Sequence, residues 1–174
     1  MFVLAPRAAH HYFGSMNAVD LLEAHHRELE ARFEKLKKSK TVDPATFNET
    51  ADALAAHITV EEELFYPAVK AQKTEEILLE SLEEHLSLKR VLADLIAIET
   101  TDDKWSPKMH VLAEQAEHHH KEEEDHLFPS VRKLLGKPEL AALGEQMKAR
   151  MDELAAQSVR LRISAQTAES ATLV

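Results

Sequence analysis

The sequence predicts an all-α protein: an up-down-up-down four-helix bundle with an additional C-terminal helix. Three observations lead there. Its 174 residues include only three Gly and six Pro, with abundant Ala, Leu, Glu and Lys, a composition that favours helices. Four stretches carry apolar residues in alternating steps of three and four, the repeat by which a bundle helix buries one face. Two of those stretches open on a polar residue followed by proline, a helix-start signal.

The first seam runs Val19, Leu22, His26, Leu29, Phe33 and Leu36, in a helix expected from near Asn17 to near Lys38. Lys35, Lys37, Lys38 and Lys40 suit its C-terminus, where cations complement the helix dipole. His26 is on the seam, whereas His25 points about 100° away. Asp43-Pro44 opens the second helix, with Leu54, His57, Glu61, Leu64 and Ala68 on its seam and Phe47, Ile58 and Phe65 beside it. Pro67 should kink this helix or shift its hydrogen bonding, since the ring lacks an N–H and crowds the carbonyl one turn back.

Thr74, followed by Glu75 and Glu76, reads as the start of a third helix, with Leu78, Ser81 or Leu82, His85, Leu88, Leu92 and Leu95 on its seam. An acidic loop over residues 100–104 precedes Ser106-Pro107, the second cap-plus-proline signal. The fourth seam is Met109, Leu112, Ala116, His119, Glu123, then His126 or Leu127, and Val131. His118, His120, Glu122 and Glu124 fall to its sides, and Glu62 and Glu63 are expected to be solvated. Gly136 stops this helix, and Pro138 opens a fifth with Leu140, Leu143, Met147, Met151 and Leu154 on one face, suited to the bundle's outside or to a dimer contact. The expected division is an N-terminal extension (1–15), the bundle (16–135), an accessory helix (136–162) and a disordered tail of small and polar residues (163–174).

With 31 acidic against 21 basic residues, the net charge of −10 argues against nucleic acid or an anionic membrane as partner. Without Cys, thiolate ligands, disulfides and Cys nucleophiles are excluded. No apolar run approaches the ~20 residues a membrane span needs. Phe2-Val3-Leu4-Ala5 is too short for a signal peptide's apolar core, so the expected location is cytoplasmic.

The chemistry is carried by a repeated block. His57 is followed by Glu61 and Pro67, and His119 by Glu123 and Pro129, at the same spacings. Positions four apart share a helix face, so each pair presents an imidazole and a carboxylate together. In an antiparallel bundle with a rise of ~1.5 Å per residue, His26, His57, Glu61, His85, His119 and Glu123 fall on one layer to within a few ångströms. Six such groups could form a purely structural network, though in low dielectric it is expensive unless every member is satisfied. Two divalent or trivalent cations would satisfy all six, and this donor set suits iron, manganese or zinc. Glu61 and Glu123 would then bridge ions ~3.5–4 Å apart. His126, three residues after Glu123, competes as a ligand or as a hydrogen-bonding neighbour of one. Tyr66 faces away on an ideal helix, but a bulge at Pro67 would bring its phenol to the site as ligand or donor.

These blocks, with Met16-Asn17-Ala18-Val19-Asp20-Leu21-Leu22, His25-His26 and Leu143-Gly144-Glu145-Gln146-Met147, resemble the hemerythrin-like, or HHE cation-binding, proteins over roughly residues 16–135. The resemblance is to small single-domain bacterial members, mycobacterial hemerythrin-like proteins included. It implies a four-helix bundle around a non-haem di-iron centre, oxo- or hydroxo-bridged, with the same six residues as ligands. Two departures bear on function. Oxygen-carrying members have a second His four residues after the one in the third helix, where this chain has Lys89, and an Asp where this chain has Glu124. The resemblance therefore implies a catalase-like or oxidative-stress reaction with peroxide or oxygen species. Oxygen or nitric oxide binding and sensing, or iron storage and donation, are the alternatives. The expected partners are small ligands (O2, H2O2 or NO), and the expected state is a monomer or weak homodimer.

Overall fold

The computed structural model describes residues 16–174, so the expected N-terminal extension lies outside the described residues. The chain begins on α1 (Ala18–Lys38), capped by Asn17, whose side-chain oxygen accepts from the N–H groups of Val19 and Asp20 at 3.0 and 3.1 Å. Asp43 caps α2 (Pro44–Val60) in the same way, accepting from the Thr46 N–H at 3.2 Å, with proline in the first turn. A π-helical turn (Glu61–Phe65) joins α2 to the short α3 (Tyr66–Val69), so that the three form one rod. The third rod is α4 (Glu75–Ile96). The fourth repeats the second: α5 (Trp105–Glu122), a π turn (Glu123–Leu127) and α6 (Phe128–Leu134). Short connections make the rods run up, down, up, down. Each rod packs on its neighbours, and α5 returns to α1 to close the bundle.

The third rod starts where expected, with Thr74 at the N-cap of α4, but the Thr74 side chain makes no capping bond: its buried hydroxyl donates to the carbonyl of Val69 at 2.7 Å and accepts from the Ala71 N–H at 2.9 Å, closing the preceding turn. The fourth rod starts at Trp105 rather than at the Ser106-Pro107 signal. Asp102 accepts from the Lys104 N–H there, and the indole of Trp105 is buried edge-on against Phe47.

The π turns follow from the prolines. Pro67 and Pro129 cannot donate, and each ring would strike the carbonyl four residues back. Widening the preceding turn by one residue relieves this. The N–H groups of Tyr66 and Phe128 accordingly reach the carbonyls of Glu61 and Glu123, five residues back. The helical phase then slips by one position. Phe65, Tyr66 and Val69 are buried where the seam expected Leu64 and Ala68, and in the second copy Leu127, Phe128 and Val131 are buried while His126 is exposed.

The accessory helix α7 (Lys137–Ala155) lies on α1 and α2, burying Leu140, Leu143, Met147, Met151 and Leu154. Gly144 lets it approach the start of α1, since a Cβ there would stand 2.3 Å from the carbonyl oxygen of Met16. Disorder from residue 163 onward is not what the structure shows. A 3-10 segment (Val159–Gln166) packs on α2 and α4 with Val159 and Ile163 buried. Arg160 pairs with Asp52 at 2.6 Å, and the Arg90 guanidinium donates to the carbonyls of Thr167 and Ala168. The accessory helix stops at Ala155, short of the expected residue 162, so Val159 anchors this segment from inside the expected helix and Ile163 from the start of the expected tail. No helix among the described residues is long and apolar enough to cross a membrane.

Candidate metal centre

His26 (α1), His57 (α2), Glu61 (first π turn), His85 (α4), His119 (α5) and Glu123 (second π turn) meet in the middle of the bundle, each at most 1% exposed. Glu61 Oε2 lies 3.4 Å from His57 Nε2 and 3.2 Å from His85 Nε2. Glu123 Oε2 lies 3.3 Å from His26 Nε2 and 3.7 Å from His119 Nε2. Each carboxylate thus reaches one imidazole from the first half of the bundle (His26 or His57, on the first two rods) and one from the second half (His85 or His119, on the last two). Donor atoms of His26, His57, Glu61 and Glu123 fall within 4.8 Å of one another, as do those of Glu61, His85 and His119.

Carboxylates outside this layer set the imidazole orientations. Nδ1 of His26 lies 2.8 Å from Glu124, that of His85 3.1 Å from Glu62, and that of His119 2.7 Å from Glu84. With Nδ1–H donating outward, each Nε2 lone pair faces the centre, the arrangement typical of metal-bound His. Arg27 in turn pairs with Glu124. Lys89 is also buried, its ammonium 2.8 and 2.7 Å from the two oxygens of Glu62. Its stem passes inside the bundle, and the charge is met there by a carboxylate that was expected to be solvated. Glu62 is held below the usual carboxylate range: burial opposes this, but His85 and Lys89 outweigh it.

The inner layer is poorly satisfied by protein alone. His26 Nε2, both nitrogens of His57, both oxygens of Glu61 and Glu123 Oε2 are buried without a hydrogen-bond partner. His85 Nε2 and His119 Nε2 stand 3.0 Å apart, with two lone pairs facing each other when both Nδ1 atoms carry the proton. Burial, then the neighbouring His26 and His120, pushes His57 well below 6.5. Burial, then the facing Glu123, pushes Glu61 well above 4.5. Glu123 goes the other way, to about 2: burial would raise it, but His119, His26 and His85 outweigh that. Leaving a buried polar group unpaired costs about 1–3 kcal/mol. Cations bound among the inward nitrogens and the carboxylate oxygens would answer all of these atoms but the second nitrogen of His57, so the donors fit a metal centre.

Further residues reach the centre. The π turn brings Tyr66 inward, its hydroxyl 3.0 Å from Glu123 Oε1 and 3.2 Å from His85 Nε2. The proline signal had pointed to that. His126, raised as a competing ligand, is displaced by the same phase slip and pairs at the surface with Glu122 at 3.5 Å. His120, placed to one side by the seam, is buried and stacks on His26 with ring centroids 4.0 Å apart. Nothing in the periodicity signalled it, because an apolar seam marks one face and His120 lies in the groove between α1 and α5.

A family model described as the Hemerythrin HHE cation binding domain matches residues 17–115, which include His26, His57, Glu61 and His85. The crystal structure of a Hemerythrin HHE cation binding domain-containing protein from Mycobacterium kansasii shares the fold. Its TM-score is 0.74 at 22% identity, covering 85% of this chain and 99% of that one. A protein named DNA nickase from Nostoc sp. (strain PCC 7120 / SAG 25.82 / UTEX 2576) is 28% identical over 138 residues. That match takes in 77% of this chain but 39% of the relative, so the chain spans about two fifths of that relative's length. With more than half of its residues matched by the family model and a cluster of buried His and Glu to hold an ion, the chain belongs to the hemerythrin HHE cation-binding family.

Proposed function

We propose that the chain is a hemerythrin-like di-iron protein that reacts with peroxide or related oxygen species. His26, His57, Glu61, His85, His119 and Glu123 are the ligands, with Tyr66 at the His85–His119 side. The observation that carries this reading is the layer of unpartnered nitrogens and oxygens, in which each carboxylate faces imidazoles from both halves. Two irons, when bound, supply a two-electron couple and adjacent Lewis-acidic positions.

The chain's own residues set the conditions. Glu62, Glu84 and Glu124 hold three imidazoles with Nε2 inward. Lys89 is committed to Glu62 and supplies no donor to the centre. Leu22, Leu29, Ile58, Leu88 and Leu112 are buried in the same core and keep bulk water away from the layer. Tyr66 offers an O–H beside Glu123, and burial, then the charges of Glu123 and Glu61, push its ionisation well above 10. That phenol therefore keeps its proton and donates it in a hydrogen bond to Glu123.

The reaction turns two H2O2 into two H2O and one O2. Oxygen evolution from peroxide by the iron-loaded chain, lost in His57→Ala, tests it. A long-lived oxygen or nitric oxide adduct without turnover would replace this reading by a binding role. DNA nicking is not adopted for this chain, because its net charge of −10 opposes a phosphate backbone.

A further inference from the structure

His120 carries no role in the six-residue centre, yet it is 1% exposed and both of its ring nitrogens lack a hydrogen-bond partner. A buried imidazole in that state calls for a partner. One of its nitrogens lies within 4.8 Å of nitrogens of both His26 and His57, so these three form a donor group of their own. Its Nδ1 stands 3.5 Å from Glu30 Oε1, beyond hydrogen-bonding distance. This repeats, more loosely, the outward carboxylate behind His26, His85 and His119. The repeated orientation leaves Nε2 of His120 as the inward atom.

We propose that His120 is a third imidazole donor for the cation position that His26 and His57 share. The inference rests on reading those two residues as ligands. It makes the centre unequal: three imidazoles at one position, and two imidazoles with the Tyr66 phenol at the other. The His120 and His26 rings are nearly parallel, 6° between planes, so their in-plane lone pairs do not aim at one point as they stand. Turning His120 about its Cβ–Cγ bond, a torsion with a broad range for imidazole, swings its nitrogen toward the shared position. His57, the other imidazole at that position, has no carboxylate behind its Nδ1, and its ring meets His120 edge-on at 5.6 Å.

The test is anaerobic titration of the metal-free full chain with Co(II), reading stoichiometry, affinity and the visible d–d spectrum. The wild type is compared with His120→Phe, which keeps a ring stacked on His26, and with His120→Asn should the first variant not fold. The expected result is two ions in the wild type. In the variant one ion binds at least tenfold more weakly with an altered spectrum, while the metal-free form melts no lower. Wild-type affinity and spectrum at both positions, or equal weakening of both, would overturn the inference and leave the six-residue centre standing. No Co(II) uptake by the wild type would overturn both.

Discussion

Tyr66 and Glu123, 57 positions apart in sequence, meet at the centre of the bundle with the phenol oxygen 3.0 Å from Glu123 Oε1. The contact exists because a π turn before Pro67 rotates Tyr66 inward, and a matching turn before Pro129 carries Glu123. Tyr66→Phe removes the partner of that oxygen. The metal-free chain should lose about 1–3 kcal/mol, the cost of a buried acceptor left unmade. Denaturant unfolding of the chelated protein measures this, and unchanged stability would show that the hydroxyl is not needed to satisfy Glu123.

Pro67→Ala restores an N–H and removes the clash that keeps the turn wide. The α register then becomes available, and Tyr66 can turn about 100° away from the site. Iron retention should weaken ~10–100-fold, as for other losses of support around metal ligands. Equilibrium dialysis against a competing chelator reads the change. Retention equal to the wild type would mean that the π turn does not depend on the proline.

The C-terminal segment is held by Val159 and Ile163, both buried, and by the Arg160–Asp52 pair. Fully burying an aliphatic side chain is worth roughly 1.5–3 kcal/mol. Truncation after residue 158 should therefore destabilise the chain by about 3 kcal/mol or more. A thermal melt of the truncated chain within a degree or two of the full chain would show that the segment adds nothing.

Removing metal should lower the melting temperature, and the metal-free chain should weaken further in acid. Burial, foremost, pushes His57 and His120 well below 6.5. As pH falls below 6.5 the unfolded chain takes protons that the folded chain refuses, so their contribution is full above 6.5 and lost beneath it. Glu123, held at about 2, acts in the same direction below 4.5. Glu61, raised by burial and by Glu123, opposes them, since its contribution declines as pH rises above 4.5. His119, raised by Glu123 and Glu84 against the effect of burial, opposes them too. The two imidazoles pushed furthest, with His25 and His85 also lowered by burial, outweigh that pair. Chelated protein should melt lower at about pH 5.5 than at about pH 7.5; the reverse order would contradict the sign.

The alternation of threes and fours was enough to place His26, His57, Glu61, His85, His119 and Glu123 on inward faces at one height. The π turns limit it, because one inserted residue shifts the phase. That is why the pattern puts Leu64 and Ala68 on the second seam where Phe65, Tyr66 and Val69 are buried, and leaves His126 open beside Leu127 on the fourth. Glu62, Glu84, Glu124 and Lys89 were missed for a different reason. They sit beside the seam, and whether a flanking carboxylate meets water or an imidazole depends on how closely the next helix approaches. The segment after Ala155 is held by Val159 and Ile163, too few to form a periodic signal.

The central claim, a pair of irons between Glu61 and Glu123, is tested most directly by anomalous diffraction at the iron edge from crystals of the iron-loaded chain. The expected map has two peaks, one among His26 and His57 and the other among His85 and His119, with both carboxylates between them. A single peak, no peak in this layer, or iron held elsewhere on the chain would contradict it.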